Sequence, residues 1–275
     1  MEKTNSPSTT PEQWDREKAF FDAAANTQGL FDIDVVERRY QAAMERPLYP
    51  LEVAYSLMGN IRGKRVLDVG CGDGENSLLF ARWGADVTGV DISPGAIRVC
   101  QQRAIQHGLT ARTTFIETPF ELLPAKGEQF DIIWSAAFLH HVLDRLEDVV
   151  KIFASLLAPK GCVMFLEPVR LSQTIKRIRA CVPPFAVGTP DERPLERIDL
   201  ARITPTFAIS DKRLFGPMSR IADKFGSAQS YETATKSQKL VADSLYRLDR
   251  AVMRRSPSEF AAMIMVARLT ELPRK

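Results

Sequence analysis

The sequence predicts an α/β protein built on a doubly wound, largely parallel sheet, and three observations predict it. Short apolar runs of strand length alternate with amphipathic stretches of helix length from Lys64 to Glu167. The first of these runs ends in a turn carrying three glycines, Gly70, Gly72 and Gly74, ahead of a helix. The 275 residues are 45% hydrophobic and 26% charged, the mixture of an ordinary globular chain. That length suits one domain with elaborations.

Residues Met1–Thr10 are rich in Ser, Thr and Pro and read as a disordered tail. Pro11 opens a helix to about Thr27, with Trp14, Phe20 and Phe21 giving it an apolar side. Asp34–Glu45 and Leu51–Met58 read as two further helices. Lys64–Gly70 is a buried strand, Glu75–Trp83 a helix and Asp86–Asp91 a second strand. Ser93 caps a helix that has Pro94 at its first position and Gly108 as its stop. Thr113–Glu117, Phe130–Ser135 and Cys162–Glu167 are the next strands, with a helix over Leu146–Leu157. Beyond Pro168 the expectations are a basic amphipathic helix over Leu171–Cys181, a loop, and a short helix over Pro194–Arg202. A strand over Thr206–Ser210, helices over Lys212–Phe225 and Lys239–Arg255, and a final strand over Phe260–Leu269 follow. Right-handed crossovers put helices on both faces of such a sheet, and ligands bind beyond the carboxyl ends of its strands.

Composition excludes several classes. The four cysteines lie far apart without a C-x-x-C pair, so neither a zinc site nor a disulfide framework is indicated. No apolar run approaches the roughly 18 residues of a membrane helix, and the N-terminus lacks a signal-peptide core, so the expected location is cytoplasmic. The net charge of +3 hides an asymmetry: residues 1–169 hold 17 Lys and Arg against 23 Asp and Glu, and the remainder hold 20 against 11. The acidic and basic stretches are suited to different partners.

The informative segment is Val66–Gly74, VLDVGCGDG. Its glycines allow close backbone approach and its helix N-terminus offers free N–H groups. A dinucleotide fingerprint would need a third glycine where Glu75 stands, and an acid there faces a pyrophosphate badly. Asp68 at the strand end instead suits a ligand with positive charge. S-adenosyl-L-methionine has an ammonium, a sulfonium, a carboxylate and no phosphate. Asp91 closes the second strand at the spacing of a ribose-hydroxyl acceptor.

From Arg65 to Pro168 the chain resembles the class I S-adenosylmethionine-dependent methyltransferases. VLDVGCGDG and VTGVDIS resemble their first two motifs, and FDIIWSAAFLHHV and LLAPKGCVMFLEP their fourth and fifth strand signatures. ARWGADVTGVD and ETPFE are similar to the ubiquinone-biosynthesis O-methyltransferase group. The resemblance implies a Rossmann-like sheet of seven strands with the last antiparallel. It also divides the chain into one domain over 11–275: an N-terminal helical cap (11–60), a cofactor-binding core (61–168), and a substrate-side elaboration with the last strands (169–275). By the same resemblance, Asp68 and Gly70 hold the methionine end, Gly72 and Gly74 shape the turn, and Asp91 takes the ribose with Ile92 on the adenine. Thr118 and Pro119 lie at the adenine edge. Ser135 and Ala136 contact the methionine moiety, and Arg46 stands where some relatives place a cofactor-closing arginine. The cap would close over the cofactor, with Tyr40 or Tyr49 reaching it.

Methyl transfer to a hydroxyl needs a proton removed or an anion stabilised. His140 and His141 follow the fourth strand, and each reads either as a general base or as a hydrogen-bonded loop histidine. Glu167 ends the fifth strand on the same edge and either orients a substrate hydroxyl or pairs with an arginine. No metal-ligand spacing is evident, so no metal is expected. The expected reaction is in-line methyl transfer to a small-molecule acceptor of quinone-like, lipid-like or secondary-metabolite type, with O-methylation ahead of C- or N-methylation. No nucleic-acid partner is expected, although the basic C-terminal part leaves an RNA or protein methyltransferase as the alternative, beside a non-catalytic cofactor-binding module. The helix over 171–181 reads as a solvated face, as a cover for an amphiphilic or acidic acceptor, or as a weak membrane-surface contact. A monomer or homodimer is expected.

Overall fold

The computed structural model describes residues 11–25, 32–44, 47–123, 127–172, 192–226, 234–254 and 258–272. Arg46 and nearly all of the basic helix expected over 171–181 lie outside them. The helices are α1 (Pro11–Ala25), α2 (Ile33–Met44), α3 (Pro50–Met58), α4 (Glu75–Arg82), α5 (Pro94–Gln106), α6 (Leu146–Leu156), α7 (Arg197–Ile203), α8 (Pro217–Gly226) and α9 (Lys236–Met253). The strands are β1 (Arg65–Val69), β2 (Asp86–Asp91), β3 (Thr113–Glu117), β4 (Phe130–Ala136), β5 (Leu157–Pro168), β6 (Phe207–Phe215) and β7 (Ile264–Glu271).

They form one seven-stranded sheet in the order β3-β2-β1-β4-β5-β7-β6. The pairs from β3 through β5 are parallel, while β7 runs antiparallel to both β5 and β6. The strand order reverses between β1 and β4, which places a ligand crevice beyond their carboxyl ends. The doubly wound sheet and the antiparallel last strand both match the expectation.

Pleating sends alternate residues to opposite faces, and each face builds its own core. Val66, Ile132, Trp134 and Met164 face α3 and α4, where Tyr55 stacks on Trp134 at 5.4 Å. Leu67, Ile133, Val163 and Phe165 face α6, with Val149 and Phe153 fully inside. Central parallel strands covered on both sides read as unbroken apolar runs, which is why VLDV and IIW were legible.

The fit is looser after β5. β6 continues to Phe215, so Lys212–Phe215 is strand where a helix was expected, and the helix starts only at Pro217. Pairing with β7 from Phe207 to Phe215 carries the strand through, across a register shift near Ser210. The final strand starts at Ile264, because Ser258–Ala261 makes a single 3-10 turn. Among the described residues no helix is long and apolar enough to cross a membrane.

Candidate active site

The glycine turn is tied to the sheet by its own backbone. Gly70 and Cys71 both donate to the Val90 carbonyl, at 2.9 and 3.0 Å, so the turn folds back over β2. Gly70, Gly72 and Gly74 all have positive φ, the left-handed region that glycine enters without strain. At Gly74 space is limiting as well: an added Cβ would stand 2.8 Å from Cys100 Sγ. Arg103 of α5, almost fully buried, clamps the turn from beneath by donating to Asp73 Oδ2 at 2.7 Å and to its carbonyl at 2.9 Å.

Asp91 sits where the turn and β2 meet. Its Oδ2 accepts from the Gly72 N–H at 2.8 Å and its Oδ1 from the Ser93 N–H at 2.9 Å. Each oxygen keeps a lone pair, so the carboxylate is oriented but can still accept. Burial raises its pKa against these donors. Asp68 lies deeper. Ser77 Oγ donates to its Oδ2 at 2.5 Å, and its carboxyl is pushed up to about 7 by burial, with the charges of Asp91 and Asp73 adding to the rise.

A cavity of about 110 Å³ opens above the turn. Gly70, Gly72, Asp91, Ile92, Thr118 and Pro119 line it, and the structure therefore brings these expected residues together. The Thr118 N–H donates to the Asp91 carbonyl at 3.0 Å, which fixes the end of β3 beside β2. Gly74, Asp68, Ser135 and Ala136 stand behind this wall, while the next residues, Ala137 and Phe138, form part of it. Ser135 is fully buried in β4.

Helix α1 forms the roof. Trp14, Glu17 and Phe21 line the cavity from above. Asp22 holds the helix down by accepting from Ser93 Oγ and, at 2.8 Å, from the Gly95 N–H in the first turn of α5. With the roof in place the cavity is smaller than the roughly 300–1,000 Å³ of small-molecule sites. Helix α1 covers the cavity, and neither Tyr40 nor Tyr49 is among its described lining residues. Tyr40 packs edge-on against Tyr55, and Tyr49 donates to Asp243 at 2.8 Å.

The far wall carries His141, with the His140 ring 4.1 Å from it. Glu167, fully buried at the end of β5, accepts from the backbone N–H groups of Phe138 and Leu139 at 2.8 and 2.7 Å. Its other oxygen lies 2.8 Å from His140 Nδ1. Burial pulls the His140 pKa down, but the hydrogen bond and charge of Glu167, with Glu192 and Glu17 nearby, outweigh it and the net shift is upward. His141 lines the cavity, packs edge-on against Phe21 at 5.6 Å and has a pKa lowered to about 4 by burial and by His140. The histidines therefore divide roles, His140 favouring a proton and His141 staying neutral.

Glu192 was not foreseen, because it lies in a connection with no periodic pattern. One of its oxygens is 3.2 Å from His141 Nδ1 and the other 3.9 Å from His140 Nε2. These three residues place a ligand atom each within 4.8 Å of one another, the one such trio found among the described residues. Arg145 on the cavity wall was also missed. It is buried and ion-paired to Glu121, another wall residue, and nothing in its local pattern sets it apart from a surface cation.

The geometry can be set beside known proteins. Residues 66–161 match the model of a methyltransferase domain. The ubiquinone biosynthesis O-methyltransferase of Bordetella avium is 36% identical over 115 residues, 42% of this chain and 47% of that protein. The enzyme of the same name from Haemophilus ducreyi is 36% identical over 134 residues, 47% of this chain and 55% of that protein. The chain spans about half the length of the curated relatives it matches. Among solved structures, geranyl diphosphate C-methyltransferase from Streptomyces coelicolor, in complex with Mg2+, geranyl diphosphate and S-adenosyl-L-homocysteine, superposes with a TM-score of 0.59 at 12% identity. The superposition covers 96% of this chain and 99% of that one, and it shows the shared fold.

Proposed function

We propose that this chain, whose residues 66–161 match the model of a methyltransferase domain, moves a methyl group from S-adenosylmethionine to a hydroxyl of a small-molecule acceptor. The observation that carries the cofactor assignment is Asp91, a carboxylate fixed by two backbone donors at the cavity wall with acceptor capacity left over. Such a group suits a pair of ribose hydroxyls. Ile92, Thr118 and Pro119 would flank the base, and Gly70 and Gly72 would admit the methionine end against the backbone. Bound there, S-adenosylmethionine supplies a methyl already activated by the sulfonium charge.

The chain's own contribution is position and proton transfer. The α1 roof covers the cavity, and alignment of an acceptor oxygen can supply several kcal/mol of the barrier. His141, on the wall, is the side chain placed to take the acceptor's proton. The choice of oxygen over carbon or nitrogen rests on the likeness to the named O-methyltransferases, together with this base.

Isothermal titration tests the first half. S-adenosylhomocysteine should bind, and Asp91→Ala should weaken it about a hundredfold, as expected for two hydrogen bonds to a charged acceptor. Equal binding by the variant, or none by the wild type, removes the cofactor assignment. Label from methyl-tritiated S-adenosylmethionine should then appear in an ether of a catechol or hydroxybenzoate panel. Label on carbon or nitrogen removes O-methylation alone.

A further inference from the structure

A second cavity lies away from the one under α1. A cavity of about 430 Å³ opens at the β6 edge of the sheet, between that strand, the end of α9 and the 3-10 turn at Ser258–Ala261. Four cations line it: Lys212 and Arg213 from β6, and Arg250 and Arg254 one turn apart on α9. Among the described residues its one acidic wall residue, Glu259, is already committed. Lys212 Nζ lies 2.6 Å from one of its oxygens and Arg197 Nη2 3.1 Å from the other.

Beyond the cavity wall, the charges of Asp249 and Glu52 act on Arg213. Arg250 and Arg254 form no ion pair among the described residues. Arg213 donates to the Pro47 carbonyl at 3.4 Å, and its buried Nη2 has no hydrogen-bond partner among the described residues. Asp249, beside them, spends both oxygens on the N–H groups of Gly216, Met218 and Ser219 at the start of α8. Burial, then the like charges of Arg250 and Arg254, hold the Arg213 pKa down to about 10, below the ordinary range of an arginine. Cations crowded in this way repel one another unless an anion sits between them.

We propose that this cavity is a second binding site, separate from the methyl-transfer site, and that it takes a phosphate group through Arg213, Arg250 and Arg254. Guanidinium groups match tetrahedral oxyanions with paired N–H donors, and Arg250 and Arg254 line the cavity with solvent contact. Lys212 closes the rim and Met253 supplies an apolar side, so the ligand carries its phosphate on a partly apolar body. A free phosphorylated molecule and a phospholipid headgroup share this chemistry.

The experiment titrates the full chain with inorganic phosphate and pyrophosphate by calorimetry at constant ionic strength, with chloride as the reference salt. In parallel it measures co-sedimentation with phosphatidylcholine vesicles, with and without phosphatidylglycerol. Saturable binding of pyrophosphate is expected, weakened about tenfold or more by Arg250→Gln or Arg254→Gln. Arg202→Gln, on α7 and outside the cavity, should bind as the wild type does. Both α9 arginines keep solvent contact, so folding should survive, and unchanged S-adenosylhomocysteine binding verifies it. Arginine-dependent binding of free anions but not vesicles identifies a soluble phosphorylated ligand. Arginine-dependent binding to phosphatidylglycerol vesicles alone identifies a headgroup. No saturable binding in either arm, or binding that the two arginine variants leave intact, overturns the proposal.

Discussion

Glu167 Oε2 and His140 Nδ1 stand 2.8 Å apart at the ends of β5 and the 3-10 turn after β4, and the carboxylate is completely buried. The other Glu167 oxygen holds two backbone N–H groups of that turn, so one side chain both shapes the turn and sets the histidine. Glu167→Gln should therefore lower the His140 pKa and loosen the turn. The measurement is an NMR titration of the imidazole resonances. With Glu167 intact the raised pKa means protonated His140 stabilises the fold, fully below about pH 6.5, and the contribution fades as pH rises through the folded pKa. The variant should lose that low-pH gain. An unchanged His140 titration would contradict the pairing.

His141 has the opposite sign. Its folded pKa of about 4 lies below the unfolded value, so the unfolded chain binds the extra proton first. The stability of the neutral ring is fully present above about pH 6.5 and is lost as pH falls through about 4. Replacing it by Gln should flatten this acid limb by about 3 kcal/mol at most. Urea melts across that window, wild type against variant, check it.

Asp68 is an acid whose folded pKa, about 7, lies above its unfolded value. Its protonated form is the better tolerated one, so the fold is penalised as pH rises from about 4 through 7. Asp68→Asn can still accept from Ser77 and carries no charge. It should raise stability by about 1–2 kcal/mol near pH 8 and change little near pH 4. Thermal melts at the two pH values decide it, and a loss at high pH would count against the protonated reading.

Gly74→Ala combines a positive φ with a Cβ 2.8 Å from Cys100 Sγ. The conformational cost and the clash together should remove about 2–4 kcal/mol, readable as a lower urea midpoint.

Asp22 joins the α1 roof to the first turn of α5. Asp22→Ala should leave the cavity walls intact yet speed S-adenosylhomocysteine dissociation about tenfold, the worth of hydrogen bonds to one carboxylate. Stopped-flow fluorescence, with Trp14 in the roof as reporter, gives the rate. An unchanged rate would mean the helix does not gate the cavity.

The core was legible because central parallel strands advertise themselves. VLDV, VTGVD and IIW are apolar runs bounded by glycine, acid or proline, and each is now a strand within a residue or two of expectation. Asp91, Ile92, Thr118 and Pro119 were placed by motif order, and they meet at one cavity. The partners of the histidines were not legible. Glu192 reaches them across about fifty residues of chain, and no local period encodes that approach. Lys212–Phe215 misled for a related reason: alternating basic and apolar residues suit an amphipathic helix and an edge strand alike, and pairing with β7 decided it. Phe21 and Trp14 were visible as the apolar side of a helix, but which surface they cover depends on the Asp22 latch.

The place of β7 in the sheet also bears on how the chain assembles during synthesis. The strands from β3 to β5 neighbour one another and are complete once Pro168 has emerged from the ribosome. Among the described residues β6 has no strand beside it except β7, and β7 must insert between β5 and β6. Until Glu271 is made, β5 has one open edge and β6 is unpaired. The nascent protein thus passes through a stage with a finished five-strand half and an exposed strand, the stage at which a chaperone or a second nascent copy would find an edge to bind.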